Sequence, residues 1–281
     1  MSLGPVGVFA SIDAGLGVDW SVIKELGVPT IQLHAPHPDH RDKASAKALA
    51  EQLGEISVTC TAVFGGFEGE SYADIPTVAQ TIGLVPAETR SSRLAEMKAI
   101  SDFASWLSVD AVALHLGFID HRVENTYAEV VAATRDLCRY VAAHDQYLHL
   151  ETGQETAEGL LMFIDAVSEP NLRINFDPAN MILYGTGDPI EALRTVAVHV
   201  RSVHCKDATW SDQPGVTWGA EVPLGSGSVD VERYLKTLIE IGYAGPLTIE
   251  REIPDDPSRQ KAEIESAIDL LNRCRQTLQA W

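Results

Sequence analysis

Three carboxylates and one imidazole occupy comparable places in four short apolar runs of this 281-residue chain. They are Glu151 in YLHLETG, Asp177 in LRINFDPAN, His204 in VRSVHCKDA and Glu250 in PLTIERE. Each run reads as a β-strand carrying its polar residue near the C-terminal end. Carboxylates brought together repel one another, and one must take up a proton unless a cation sits among them. A divalent ion resolves the conflict. Three oxygen donors and one nitrogen suit Mn²⁺, Mg²⁺, Co²⁺ or Zn²⁺, and the donor types do not choose among these. Singly, each residue has a plainer reading: a salt-bridging Glu, a core His, an Asp shaping the turn before Pro178. Four of them on consecutive strands favour one bound metal ion.

Strand periodicity adds neighbours, because side chains two apart share a face. His149 shares one with Glu151, Asn175 with Asp177, Ser202 and Lys206 with His204, and Thr248 and Glu252 with Glu250. Lys206 reads as a group that polarises a substrate oxygen or balances the carboxylates. Asp207 is its candidate partner and a further substrate contact. His115, ending ALHLGF, points to the same opening. Gln154 and Asn180 follow ligand strands closely and read as hydroxyl-binding groups. His34, His37 and His40 in HAPHPDH lack the helical HExxH spacing. They read as a loop rather than a second metal site, with His34 in reach of the opening.

The elements that position these residues alternate along the chain. Eight apolar, β-rich runs span 6–12, 30–36, 57–65, 111–118, 146–152, 172–177, 200–206 and 246–252. Each is followed by a segment of helical periodicity, the last running through KAEIESAIDLLNRCRQTLQAW to the final residue. Parallel strands need crossover helices, and eight such units predict a single (β/α)8 barrel domain over 1–281; barrels of this kind typically use ~250 residues. A doubly wound sheet is the alternative, but no glycine-rich nucleotide fingerprint follows the first strand. Two stretches exceed simple connections, 65–90 and 207–228. Both follow strand ends, where long loops cover barrel active sites. Trp210 and Trp218 in the second suit a lid or a sugar-stacking wall. LGSGSVD (224–230) reads as a turn and a helix cap, by Ser228 or Asp230, rather than a phosphate cradle.

The balance of 21 basic and 40 acidic residues, −19 overall, opposes an electrostatic grip on nucleic acid or anionic membrane. Four scattered cysteines with no CxxC pair fit a reducing compartment. The amino-terminal segment shows no signal-peptide pattern and no apolar run is long enough to span a bilayer, so a cytoplasmic location is expected. A homo-oligomer is left open.

Glu151 in LETGQET, Asp177 in NFDPAN, His204 in VHCKDA and Glu250 in IERE resemble the metal set of the xylose isomerase-like TIM barrel family. The tail GSVDVERYLKTLIEIGYAGPLTIERE is similar to that family's last two βα units. The group includes tagatose 3-epimerase-type enzymes, hydroxypyruvate isomerase, inosose-processing enzymes and endonuclease IV. The resemblance implies a metal-dependent isomerase or epimerase of a small sugar or polyol-derived ketone. It also implies that Glu151 and Glu250 both hold the metal and carry protons, moving one beside a carbonyl through an enediolate. An inosose-type dehydratase is the alternative, using the same carboxylates. An endonuclease IV-like nuclease fits less well: Asn180 stands where that enzyme places a histidine ligand, and the third strand has no histidine. Those departures imply one metal rather than three.

Overall fold

The computed structural model describes residues 3–15, 17–253 and 255–279. Eight parallel strands form its centre: β1 (Val6–Ser11), β2 (Thr30–His34), β3 (Thr59–Gly65), β4 (Ala111–Leu114), β5 (Tyr147–Glu151), β6 (Leu172–Phe176), β7 (Val200–Cys205) and β8 (Leu247–Ile249). Neighbours in sequence are neighbours in the sheet, and β8 returns to pair with β1 through Val6–Leu247, Gly7–Thr248 and Val8–Ile249. That last pairing closes the sheet into the expected (β/α)8 barrel. Seven of the eight expected strands overrun their observed C-terminal ends, most clearly the fourth, while the third ends at Gly65 as expected. There the chain leaves the sheet after Leu114, and Gly117 takes a left-handed φ of 95° in the loop above.

Ten α-helices surround the strands: α1 (Trp20–Leu26), α2 (Lys43–Glu55), α3 (Ile75–Thr81), α4 (Ala87–Trp106), α5 (Glu124–Ala142), α6 (Ala157–Val167), α7 (Pro178–Tyr184), α8 (Pro189–Val196), α9 (Val231–Glu240) and α10 (Pro257–Gln279). The side chains of Asp42, Asp74, Thr156 and Asp188 accept from first-turn N–H groups of the helices they precede. Those N–H groups have no partner inside the helix, so the caps fix where it begins. The last two residues of the expected C-terminal helix lie outside the described residues. The long segment after β3 holds α3, and the one after β7 folds into an antiparallel ribbon, Asp207–Thr209 against Ala220–Val222. α7 was not anticipated; Asp177 caps it and Pro178 opens it.

The alternation of strand side chains separates two cores. Outward residues such as Val8, Ile31, Val63, Val112, Leu148, Ile174, Val203 and Leu247 pack with Met97, Leu137, Phe163, Leu193 and Leu235 of the helices. Inward residues Phe9, Ala62, Phe64, Ala111 and Ala113 make a second, smaller apolar cluster in the lumen. Much of the rest of the lumen is polar, with bonds across it: Gln32 Nε2 donates to Asn175 Oδ1 at 3.2 Å, and His149 Nδ1 lies 2.8 Å from Ser202 Oγ. Among the described residues no helix is long and apolar enough to cross a membrane.

Candidate active site

The inward phase of β5 to β8 delivers four residues to the C-terminal end of the barrel. Glu151 ends β5, His204 lies in β7, and Asp177 and Glu250 stand one residue beyond β6 and β8. One ligand atom of each lies within 4.8 Å of all the others, and all four residues are buried. His204 Nδ1 is 2.8 Å from Glu151 Oε1, 3.2 Å from Glu250 Oε2 and 3.5 Å from Asp177 Oδ2. Its Nε2 is 2.6 Å from Gln32 Oε1. An acceptor behind the ring assigns the N–H to Nε2 in the neutral form and leaves Nδ1 free to bind a metal. Phe64 stacks on the ring at 5.4 Å and Phe9 meets it edge-on at 5.5 Å.

These residues fit one divalent cation. Asp177 Oδ1 accepts from Ala179 and Asn180 N–H at 2.7 and 3.0 Å, while its buried Oδ2 has no hydrogen-bond partner. An orphaned carboxylate oxygen turned toward other ligand atoms marks a place for a positive charge. Burial pushes His204 down, yet the Glu250 and Glu151 carboxylates outweigh it and hold the imidazole well above its usual range. Three carboxylates thus demand a cation, and a metal at Nδ1 would take the place of that proton. No second cluster of this kind occurs among the described residues; the His40 ring contacts Asp13, while the His37 ring lies 3.5 Å from Asp39 and only its backbone N–H donates to Asp13.

Around the cluster the other candidates divide. Gln154 donates to His115 Nδ1 at 3.2 Å, so the opposite N–H of His115 is directed at Glu151 Oε2, 3.0 Å away. Asn180 Nδ2 donates to Glu151 Oε1 at 3.3 Å. Lys206 Nζ donates to Glu250 at 2.9 Å and Glu252 at 3.1 Å, with Glu221 3.9 Å away. Burial raises Glu250, but Lys206 and His204 outweigh that and hold it well below the usual carboxylate range. Gln154 stands behind His115 and orients it. Asp207 departs from expectation: it is neither a partner of Lys206 nor part of the cavity wall. Its carboxylate accepts from the N–H groups of Ala208, Gly225, Gly227 and Val229 at 2.9 to 3.1 Å and fastens the loop before α9. Asp230 caps that helix through Arg233 N–H, as the sequence indicated.

A cavity of about 320 Å³ opens above the cluster. Glu151 and Glu250 reach its wall; Asp177 and His204 lie sealed beneath, both 0% exposed. Tyr72, Tyr184 and Trp218 form an aromatic side, and Glu70, Glu221 and Glu252 add carboxylates. Of the two tryptophans singled out, Trp218 packs on Tyr184 at 4.6 Å, whereas Trp210 is 40% exposed and outside the wall. His34 also lines the cavity, its ring held between two glycines. A Cβ on Gly66 would stand 2.6 Å from His34 Nε2, and one on Gly15 (φ +86°) 2.2 Å from its Cγ.

Sequence reasoning missed Gln32, Tyr72, Tyr184 and Glu221. Gln32 carried a signal, as the lone amide in the buried strand TIQLH. Tyr72 sits on a loop, Tyr184 ends a short helix and Glu221 lies in the short ribbon after β7, none of which has a periodicity long enough to aim a side chain.

The model of the xylose isomerase-like TIM barrel family matches residues 20–274. Among solved structures, a xylose isomerase domain protein from Planctomyces limnophilus is similar at 56% identity and TM-score 0.97, over 99% of this chain and 100% of that one. Among curated proteins, an inosose dehydratase from Clostridium botulinum is 31% identical over 121 residues, 39% of this chain and 40% of that protein. An L-ribulose-5-phosphate 3-epimerase from Shigella flexneri is 42% identical over 73 residues, 25% of this chain and 22% of that protein. The matches therefore span less than half the length of these curated relatives.

Proposed function

The chain belongs to the xylose isomerase-like TIM barrel family, and from that premise we propose that it is a divalent-metal-dependent isomerase or 3-epimerase of a small ketose or polyol-derived ketone. One observation carries the reading: of four converging ligand residues, only the two outer carboxylates, Glu151 and Glu250, open onto the cavity. Asp177 and His204 are then holders, and Glu151 and Glu250 are holders that also exchange protons with substrate. A dication held by the four would offset two of their three negative charges and polarise the substrate's carbonyl.

The chain's own groups divide the proton work. Lys206, 2.9 Å from Glu250, favours its ionised form, which suits Glu250 to take a proton from the carbon beside the carbonyl. Glu151, held by contacts from His115 and Asn180, would give from its own side a proton taken up from solvent between turnovers, and Glu250 would release to solvent the proton it took. Return to the opposite face of the same carbon inverts that carbon. Return to the neighbouring carbon, with an oxygen proton shuttled, interconverts ketose and aldose. Buried Gln32 and the two phenylalanines keep the His204 ring from turning.

Incubating the metal-loaded protein in D₂O with D-ribulose, D-fructose, D-tagatose and scyllo-inosose tests this. Deuterium beside the carbonyl, seen by proton NMR, is the expected result. No exchange with any ketone, in protein holding one metal per chain, would sink the proposal. The similarity to an inosose dehydratase over 121 residues supports a second reading, loss of a β-hydroxyl after the same proton abstraction. An unsaturated or diketone product would identify it.

A further inference from the structure

We propose that the cavity is made for an uncharged polyhydroxy ketone and rejects the corresponding phosphate esters. This rests on the function proposed above. Every positive group in the wall is already engaged by the protein. Lys206 gives N–H bonds to Glu250 and Glu252 and lies 3.9 Å from Glu221. His115 is turned to Glu151. His34 Nδ1 is 3.0 Å from Ala35 O, an acceptor, so its Nε2 is left as an acceptor too. With Glu70, Glu221 and Glu252 added to the ligand carboxylates, negative groups outnumber positive ones even when a dication is counted. A phosphate dianion offers acceptors only and carries like charge; a hydroxyl donates. Neutral donors remain in Asn180, Tyr72 and Tyr184, which suit hydroxyl and carbonyl oxygens.

The usual escapes for a phosphate are closed as well. An adjoining chamber of about 440 Å³ contains Arg41, but its guanidinium donates to Pro36 O and to Glu96 at 2.8 Å. Arg251, beyond β8, donates to Glu221 at 2.5 Å and Glu263 at 2.6 Å. In barrels a phosphate commonly sits on loop N–H groups after the seventh and eighth strands. Here the N–H groups of Gly225, Gly227 and Val229 are filled by the Asp207 carboxylate, an internal anion in the place an external one would take.

The test compares matched pairs on the metal-loaded protein: D-ribulose with D-ribulose 5-phosphate, and D-fructose with D-fructose 6-phosphate. Deuterium incorporation gives kcat/KM for each. The free ketose of a pair is expected to exceed its ester by about 10-fold or more. An ester equal to or better than its free ketose overturns this inference and leaves the proposed function standing. No exchange with either member of any pair, nor with D-tagatose or scyllo-inosose, overturns both. Glu252→Gln removes one negative charge and weakens the hold on Lys206, and is expected to lower the free-to-ester ratio about 3- to 10-fold. A purely structural role for Glu252 would lower both members of a pair alike, and an unchanged ratio would refute the electrostatic account.

Discussion

The two sides of the barrel lumen are built from opposite materials. β1, β3 and β4 turn in Phe9, Ala62, Phe64, Ala111 and Ala113. β5 to β8 turn in His149, Glu151, Asn175, Ser202, His204 and Thr248, with Asp177 and Glu250 just above. The first side supplies shape and the second supplies charge. The alanines are small where long polar side chains must cross the lumen, and the two phenylalanines meet the one ligand ring that could swivel. A water-excluding wall on one side also strengthens each electrostatic contact on the other. Gln32 is the exception, an amide from β2 that reaches across to His204 and Asn175.

The contrast predicts different failures on the two sides. Glu250→Gln or Glu151→Gln on the charged side is expected to lower kcat about 10²- to 10⁴-fold, the usual worth of a positioned acid or base. Circular dichroism and thermal melting are expected to show the barrel intact; unfolding of either variant would mean that the charged side also carries the fold. Phe64→Ala on the apolar side is expected to cost about 3 kcal/mol of stability in urea titration, since it empties a closed wall. A smaller loss with abolished activity would erase the division of labour. Gln32→Met, the crossing residue, is expected to weaken metal binding about 10- to 100-fold by calorimetry and to cost about 1–3 kcal/mol of stability, since Asn175 Oδ1 and His204 Nε2 lose their buried partner. The smallest effect lies where the sides join. Glu155, after β5, accepts from Ile119 N–H after β4 at 3.1 Å, and burial pushes its carboxyl up to about 8. The folded form thus keeps a proton that the unfolded chain releases near 4.5, so stability falls as pH rises from about 4.5 to 8. Glu155→Gln is expected to flatten that part of the melting-temperature profile and to gain about 1–2 kcal/mol at pH 8.

How much of this was legible follows from the same division. Period two along a strand fixes which side chains face inward, so Glu151, Asp177, His204, Glu250 and Lys206 could be brought together from spacing alone. The barrel was legible for the same reason, from eight runs separated by helical patterns. The loop residues were not. Glu221 enters the cavity because a ribbon folds back after β7, and Trp218 does so while Trp210 eight residues earlier does not. Asp207 shows the limit on the strand side: one residue past Lys206, it faces the other way and serves the backbone of its own loop. The run of glycines and serines that reads as a turn and helix cap also encloses the Asp207 carboxylate, and only the hydrogen bonds reveal that occupant.

Closure of β8 onto β1 carries a consequence for assembly. Val6 pairs with Leu247, far along the chain, and Glu250, the fourth of the clustered residues, follows three residues later. A chain emerging during synthesis therefore holds Glu151, Asp177 and His204 with an incomplete cluster, and two open strand edges, until β8 is made. Pairings so distant in sequence form slowly. On the proposed function, metal capture would report on the finished barrel: in refolding followed by stopped-flow fluorescence and a metal indicator, tight binding is expected only with the final phase, and tight binding in an earlier phase would show that the site assembles on an open sheet.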